Sequence, residues 1–177
     1  MTNELVVAPY DPRWADMFEE ERVRLEAALL GLALRIDHHG STSVPGLPAK
    51  PIIDIQVSVA RLHPMDGYRV VLRELGYRHV PHPDDAFCPF FHRPDGTPHS
   101  HHIHVVESGG TEERRTLAFR DYLRENAGIA DEYARLKMTL APRFTHATMA
   151  DYASAKGEFI ERVIAQALAA GYPRELR

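Results

Sequence analysis

Between His38 and Lys50 the chain reads His-His-Gly-Ser-Thr-Ser-Val-Pro-Gly-Leu-Pro-Ala-Lys, and Asp54 follows in the next apolar run. Gly40 lets a ligand approach the backbone closely, and Ser41, Thr42 and Ser43 offer hydroxyl and amide donors in a turn that could cradle oxyanions. Lys50 adds a compact positive charge. Asp54 supplies a hard oxygen ligand for a divalent ion bridging phosphates, and is the candidate catalytic residue. Gly-Ser-Thr-Ser by itself is common turn chemistry. An aspartate inside a strand pattern is harder to dismiss, because Asp is depleted in strands and costly to bury unpaired.

Histidine supplies the second group. Six of the 11 histidines fall at His38, His39, His99, His101, His102 and His104. In Ser100-His-His-Ile-His-Val-Val-Glu107, His102 and His104 share one strand face while Ile103 and Val105 share the other. Two imidazoles pointing together can chelate one transition metal if a third ligand such as His38 or Asp54 arrives from a neighbouring strand, and imidazole suits Zn, Mn, Fe or Ni better than Mg. Alternatively one of them contacts phosphate. His99 and His101 read as exposed loop residues, and His63, His79, His82, His92 and His146 as incidental. Further on, Arg114, Arg115, Arg120 and Arg124 are interleaved with Glu113, Asp121 and Glu125, the pattern of a solvated, ion-paired helix face. Lys137 and Lys156 instead sit within apolar helical stripes, from which each could reach the polar site.

The elements that must position these groups follow from periodicity and punctuation. Asp11-Pro12 opens a helix to about Leu30, with Trp14, Phe18, Leu25 and Leu29 on one face. Leu34 to Asp37 reads as a strand. The run Ile52 to Val59 is the clearest strand, its Ile53, Ile55, Val57 and Val59 facing one way and Asp54, Gln56 and Ser58 the other, so this strand should bear a helix-covered face and a polar, open one. A helix over Met65 to Leu75 ends at Gly76, and Tyr77–Val80, Phe87–Phe91 and His102–Val106 are further strands. From Thr111 onward the spacing is helical through Phe119, Tyr122, Leu123, Ile129, Tyr133, Leu136 and Leu140. A last helix, with Phe159, Ile160, Val163, Ile164, Ala167 and Leu168 as its stripe, follows a capping box at Thr148 to Asp151. The expected architecture is one α/β (α+β) domain over 1–177, with an α/β part at 1–110 and a helical part at 111–177.

Composition narrows the function classes. A hydrophobic content of 44% and a charged content of 26% describe a chain that folds on its own core. A formal charge of −4 gives no general attraction to nucleic acid or anionic membrane, so phosphate binding must come from a local arrangement and no nucleic-acid partner is expected. The single cysteine, Cys88, excludes an intrachain disulfide, and MTNELVVAPY lacks the regions of a signal peptide, so a cytoplasmic location is expected. No apolar run approaches the roughly 18 residues that cross a bilayer.

Taken together, Val6 to Pro12, His38-x-Gly-Ser-Thr-Ser-Val-Pro-Gly-Leu-x-Ala-Lys-Pro-Ile-Ile-Asp-Ile, His101-His-Ile-His-Val, Phe119-Arg-Asp-Tyr-Leu and Tyr133-x-x-Leu-Lys resemble the GrpB family over nearly the whole chain. The resemblance implies a nucleotidyltransferase-like fold of the DNA polymerase β superfamily: a mixed sheet with helices on one face and a C-terminal helical extension. In active members of that superfamily a Gly-Ser turn positions the nucleotide phosphates, and an Asp-x-Asp pair with a third acid holds two metal ions. Gly40-Ser41 and Asp54 match that pattern, Gln56 stands where the second acid would, and Glu107 has the wrong strand parity for the third. The expectation is therefore metal-dependent binding of a nucleotide or other phosphorylated small molecule on Gly40, Ser41, Thr42, Ser43 and Lys50. The divalent ion (Mg, Mn or Zn) would be held by Asp54 with His38, His102 or His104. Nucleotidyl transfer to an acceptor is the enzymatic reading, a non-catalytic nucleotide- or metal-binding regulatory domain the alternative, and a histidine-based hydrolase the third.

Overall fold

The computed structural model describes residues 7–144 and 154–174. Residues 1–6 and the capping box at Thr148 to Asp151 lie outside the described residues. The first helix, α1 (Arg13–Ala28), starts directly after Pro12, and Asp11 Oδ1 accepts a hydrogen bond from the Arg13 amide at 2.9 Å. Its Trp14, Phe18 and Leu25, with Leu29 just beyond its end, are all buried, as their spacing requires.

Five strands follow: β1 (Ala33–His39), β2 (Ile53–Val59), β3 (Arg78–His79), β4 (Phe90–Arg93) and β5 (His101–Glu107), with α2 (Asp66–Glu74) between β2 and β3. Their order in the sheet is β1-β2-β5-β4-β3; β2 and β5 run parallel and the other neighbours antiparallel. Ile53, Ile55, Val57 and Val59 point with Phe91, Ile103 and Val105 into the main core, against α1 and against Tyr68 and Leu72 of α2. Each such side chain, fully withdrawn from water, contributes roughly 1.5–3 kcal/mol. This layer fixes which face of β2 is left for chemistry.

The polar face is not open along its whole length. Helix α3 (Thr111–Glu125) crosses it, so Gln56 and Ser58 are fully buried, and Thr116 Oγ1 donates a short hydrogen bond to Gln56 Oε1. Only the Asp54 end of the strand remains accessible. Helices α4 (Ala127–Leu140) and α5 (Gly157–Ala169) complete the helical part, and a second core of Leu123, Tyr133, Phe159 and Val163 closes around Val44 and Leu47 from the loop after β1. The helices after Thr111 thus clasp the very loop that carries the Gly-Ser-Thr-Ser run. Among the described residues no helix is long and apolar enough to cross a membrane.

Two of the four arginines of α3 do not join the solvated face that their spacing suggests. Arg120 is buried, donating to His38 O at 3.1 Å and to Asp37 Oδ1 at 3.3 Å, and Arg124 donates through Nε and Nη2 to Ser43 O at 2.9 and 2.8 Å. Arg114, which is exposed, and Arg115, which pairs with Glu161 and Glu112, do behave as expected. An isolated helix cannot reveal this difference, because i,i+4 charge patterns look the same whether the partner is water or a docked strand.

Candidate functional site

The sheet register brings one row of polar residues across four strands. His39 of β1 lies opposite Asp54 of β2, Asp54 opposite His102 of β5, and His102 opposite His92 of β4. The next row sets Gln56 beside His104. Asp54 therefore meets three imidazoles. His102 Nδ1 lies 3.3 Å from Asp54 Oδ1, and His102 Nε2 faces His99 Nδ1 at 3.0 Å. His104 packs edge-on against His39, with ring centroids 4.9 Å apart. Burial opposes ionisation of Asp54, yet the hydrogen bond from His102 and the surrounding imidazoles hold its carboxyl well below the usual range. Burial pushes His39 down to about 3 and His104 down to about 4, so both rings are neutral at physiological pH.

Strand parity separates His38 from this group. Opposite Ile55 in the register, it turns to the α1 side of the sheet, stacks on Phe18 at 4.7 Å and faces Thr42 Oγ1 through Nε2 at 3.0 Å. The expected pairing of His38 with Asp54 is thus not made; His39 takes that place. His101, expected in an exposed loop, is a buried β5 residue whose Nδ1 faces Arg93 Nη2 at 3.2 Å. Nor is His92 incidental: it is buried and stacks on His99 at 4.0 Å. Glu107 is exposed at the far end of β5 and does not enter the site.

Gly40 ends β1 with φ 68° and ψ −172°, a conformation essentially confined to glycine. A Cβ there would meet Asp54 Cβ at 2.9 Å and Cγ at 3.0 Å. The turn and the carboxylate are therefore packed on each other. Ser43 Oγ donates to Gly40 O at 2.6 Å and Thr42 Oγ1 to Ile52 O at 3.2 Å, which leaves Ser41 as the hydroxyl of the turn with no such bond among the described residues.

A cleft of about 500 Å³ opens above this floor. Gly40, Ser41, Thr42, Lys50, Asp54, His39, His102 and His104 line its polar side, and Phe119 of α3, Tyr133 of α4 and Ile160 of α5 its apolar wall. Lys137 and Lys156, singled out from their apolar stripes, both reach it. The chain has only three lysines against 18 arginines, and all three line this one cleft. That scarcity was the sequence signal for the helical half of the site. Burial, reinforced by the charge of Lys156, pushes Lys50 down to about 8 and Lys137 down to about 7 against the attraction of Asp54. Lys156 is lowered too, by burial. A second hollow, of about 570 Å³ between α2 and β3, contains none of these groups, and two of its arginines, Arg69 and Arg78, are paired with Asp66 and Asp95.

The residues present do not fit a two-metal centre. Gln56 occupies the position of the second acid, beneath Thr116, and among the described residues no three His, Cys, Asp or Glu side chains converge as metal ligands. What the cleft can do is bind an anion: three ammonium groups and a glycine turn surround a single carboxylate.

A mixed five-stranded sheet with a Gly-Ser turn after its first strand and a carboxylate of the next strand packed on that turn defines an α/β protein with an anion-binding corner at one end of its sheet. The chain belongs to the GrpB family, whose model, described as GrpB protein, matches residues 4–166. It is 38% identical over 164 residues to the UPF0157 protein BH1888 of Halalkalibacterium halodurans, covering 92% of this chain and 82% of that one. To the glutamate-rich protein GrpB of Alkalihalophilus pseudofirmus it is 30% identical, covering 91% of this chain and 94% of that one. The crystal structure of the conserved protein GrpB from Enterococcus faecalis superposes with a TM-score of 0.83 at 35% identity, over 93% of this chain and 98% of that one.

Proposed function

We propose that this cleft binds a nucleotide or another phosphorylated small molecule by its phosphate. The phosphate sits on the Gly40–Ser43 turn and Lys50, with the organic part against Phe119, Tyr133 and Ile160. The observation that carries this reading is the convergence of all three lysines of the chain on one cleft above a glycine turn. A volume of about 500 Å³ suits a small ligand. A divalent ion carried by the phosphates would be met by Asp54, the one carboxylate lining the cleft among the described residues.

Binding without turnover is favoured over nucleotidyl transfer by one specific observation: Gln56 is completely buried under α3 and bonded to Thr116, so the second acidic position of a transferase is both neutral and covered. The test is calorimetric titration of inorganic phosphate, AMP and ATP, with and without Mg²⁺ or Mn²⁺, into wild type and Lys50→Gln. Saturable binding, weakened about tenfold or more by Lys50→Gln, is expected for loss of one charge-assisted contact. Absence of saturable binding by any phosphate compound refutes the reading. Pyrophosphate release that disappears in Asp54→Asn would instead establish transfer.

A further inference from the structure

The phosphate seat on the Gly40–Ser43 turn and Lys50 leaves Lys137, a nucleophile in the cleft wall, without direct contact to the phosphate. Lys137 is 2% exposed, the most enclosed of the three lysines, and its ammonium meets a carbonyl and a ring: it donates to Pro48 O, and Nζ lies 4.6 Å above the centroid of Tyr133. Among the described residues its ammonium forms no ion pair with a carboxylate. Outside this cleft the chain has arginine and no lysine, and arginine stays protonated and cannot act as a nucleophile. An amine in the wall of a phosphate cleft, enclosed by apolar groups and near a second ammonium, has the surroundings that activate lysine for covalent chemistry.

We propose that Lys137 forms an imine with the carbonyl carbon of a phosphorylated aldehyde or ketone whose phosphate is seated on the Gly40–Ser43 turn and Lys50. The inference rests on the phosphate reading of that turn. The neutral amine attacks the carbonyl carbon, a C–N bond forms, and the amine proton passes to the carbonyl oxygen to give a carbinolamine. Loss of that hydroxyl with the remaining N–H proton releases one water and leaves C=N, with no change in oxidation state. The groups facing the amine are suited to this step. Burial and the Lys156 charge favour its neutral form, bringing it to about 7, while Asp54 attracts the cation that forms if the imine is protonated.

Because the chain has three lysines, amine labelling gives an unambiguous answer. The protein is incubated with pyridoxal 5′-phosphate, reduced with borohydride and mapped by mass spectrometry, beside parallel samples with pyridoxal, with added inorganic phosphate, and with Lys137→Arg. The expected result is one adduct, on Lys137, forming about tenfold or more faster with pyridoxal 5′-phosphate than with pyridoxal, slowed by inorganic phosphate and lost in Lys137→Arg. Labelling of Lys50, Lys156 or the α-amine with Lys137 untouched overturns the proposal, as does no labelling at all. If inorganic phosphate still binds in calorimetry, those outcomes leave the phosphate reading standing. Equal labelling of Lys137 by pyridoxal and its phosphate overturns the phosphate seat, and with it the phosphorylated-carbonyl assignment. Circular dichroism of Lys137→Arg, which keeps the cation and most of the volume, checks that loss of the adduct is not loss of the fold.

Discussion

Replacing Gly40 by alanine tests the central geometric claim, that the turn and Asp54 are built on each other. Two costs are separable. The backbone at φ 68° and ψ −172° lies in a region that alanine adopts only under strain, about 1–3 kcal/mol. The added methyl would also sit 2.9 Å from Asp54 Cβ and 3.0 Å from Cγ, a contact between two strand-held backbones that cannot easily relax, adding about 1–3 kcal/mol of overpacking. The sum, about 2–6 kcal/mol, is a large share of the 5–15 kcal/mol that stabilises an ordinary domain. Urea unfolding of wild type, Gly40→Ala, Asp54→Gly and the double variant measures both parts, because glycine removes Asp54 Cβ as well as its carboxylate. The double variant should recover the overpacking share, giving a coupling of about 1–3 kcal/mol, while the strain share remains. A loss below about 1 kcal/mol in Gly40→Ala, or the same loss with and without the Asp54 side chain, would refute the packing argument.

Arg124→Ala removes both donors to Ser43 O and should cost about 1–3 kcal/mol in chemical denaturation, because that carbonyl is left poorly satisfied; phosphate affinity should fall with it as the turn loosens. Gln56→Asp places a carboxylate in a fully buried site beneath Thr116, so it should cost about 3–5 kcal/mol in thermal or urea unfolding and should not create Mn²⁺ binding detectable by paramagnetic resonance. Lowered lysine values make stability rise with pH: above about pH 7 the folded protein binds fewer protons at Lys137 and Lys50 than the unfolded chain, so urea midpoints should increase from about pH 7 toward 10, and Lys137→Met should flatten the slope. The same groups should take up protons when phosphate binds near pH 8, seen as a dependence of the calorimetric heat on buffer ionisation enthalpy; a heat independent of buffer sinks this linkage. On the acid side, His39 and His104 are neutral when folded, at about 3 and 4, and titrate near 6.5 when unfolded. Stability is therefore lost as pH falls below about 6.5, and His39→Phe should reduce the protons taken up on acid unfolding.

Local chemistry was enough to determine much of this protein. The faces of α1 and β2 follow from 3.6- and 2-residue periods, which burial must respect, so Trp14, Phe18, Leu25, Ile53, Ile55 and Val57 could be assigned to the core and Asp54 to the opposite face from sequence. The Gly40 turn was legible because few residues tolerate such a backbone, and the pairing of His102 with His104 because strand parity is strict. Tertiary structure decided the rest. Whether His38 or His39 faces Asp54 depends on the register between β1 and β2, and a shift of one residue exchanges them. Arg120 and Arg124 became loop clamps, Gln56 was buried, and three lysines separated by up to 106 residues met in one cleft, only because α3, α4 and α5 dock over the sheet. Periodicity shows which side of a helix seeks burial. What that side meets is set by long-range packing, and the cleft of this protein exists only at that level.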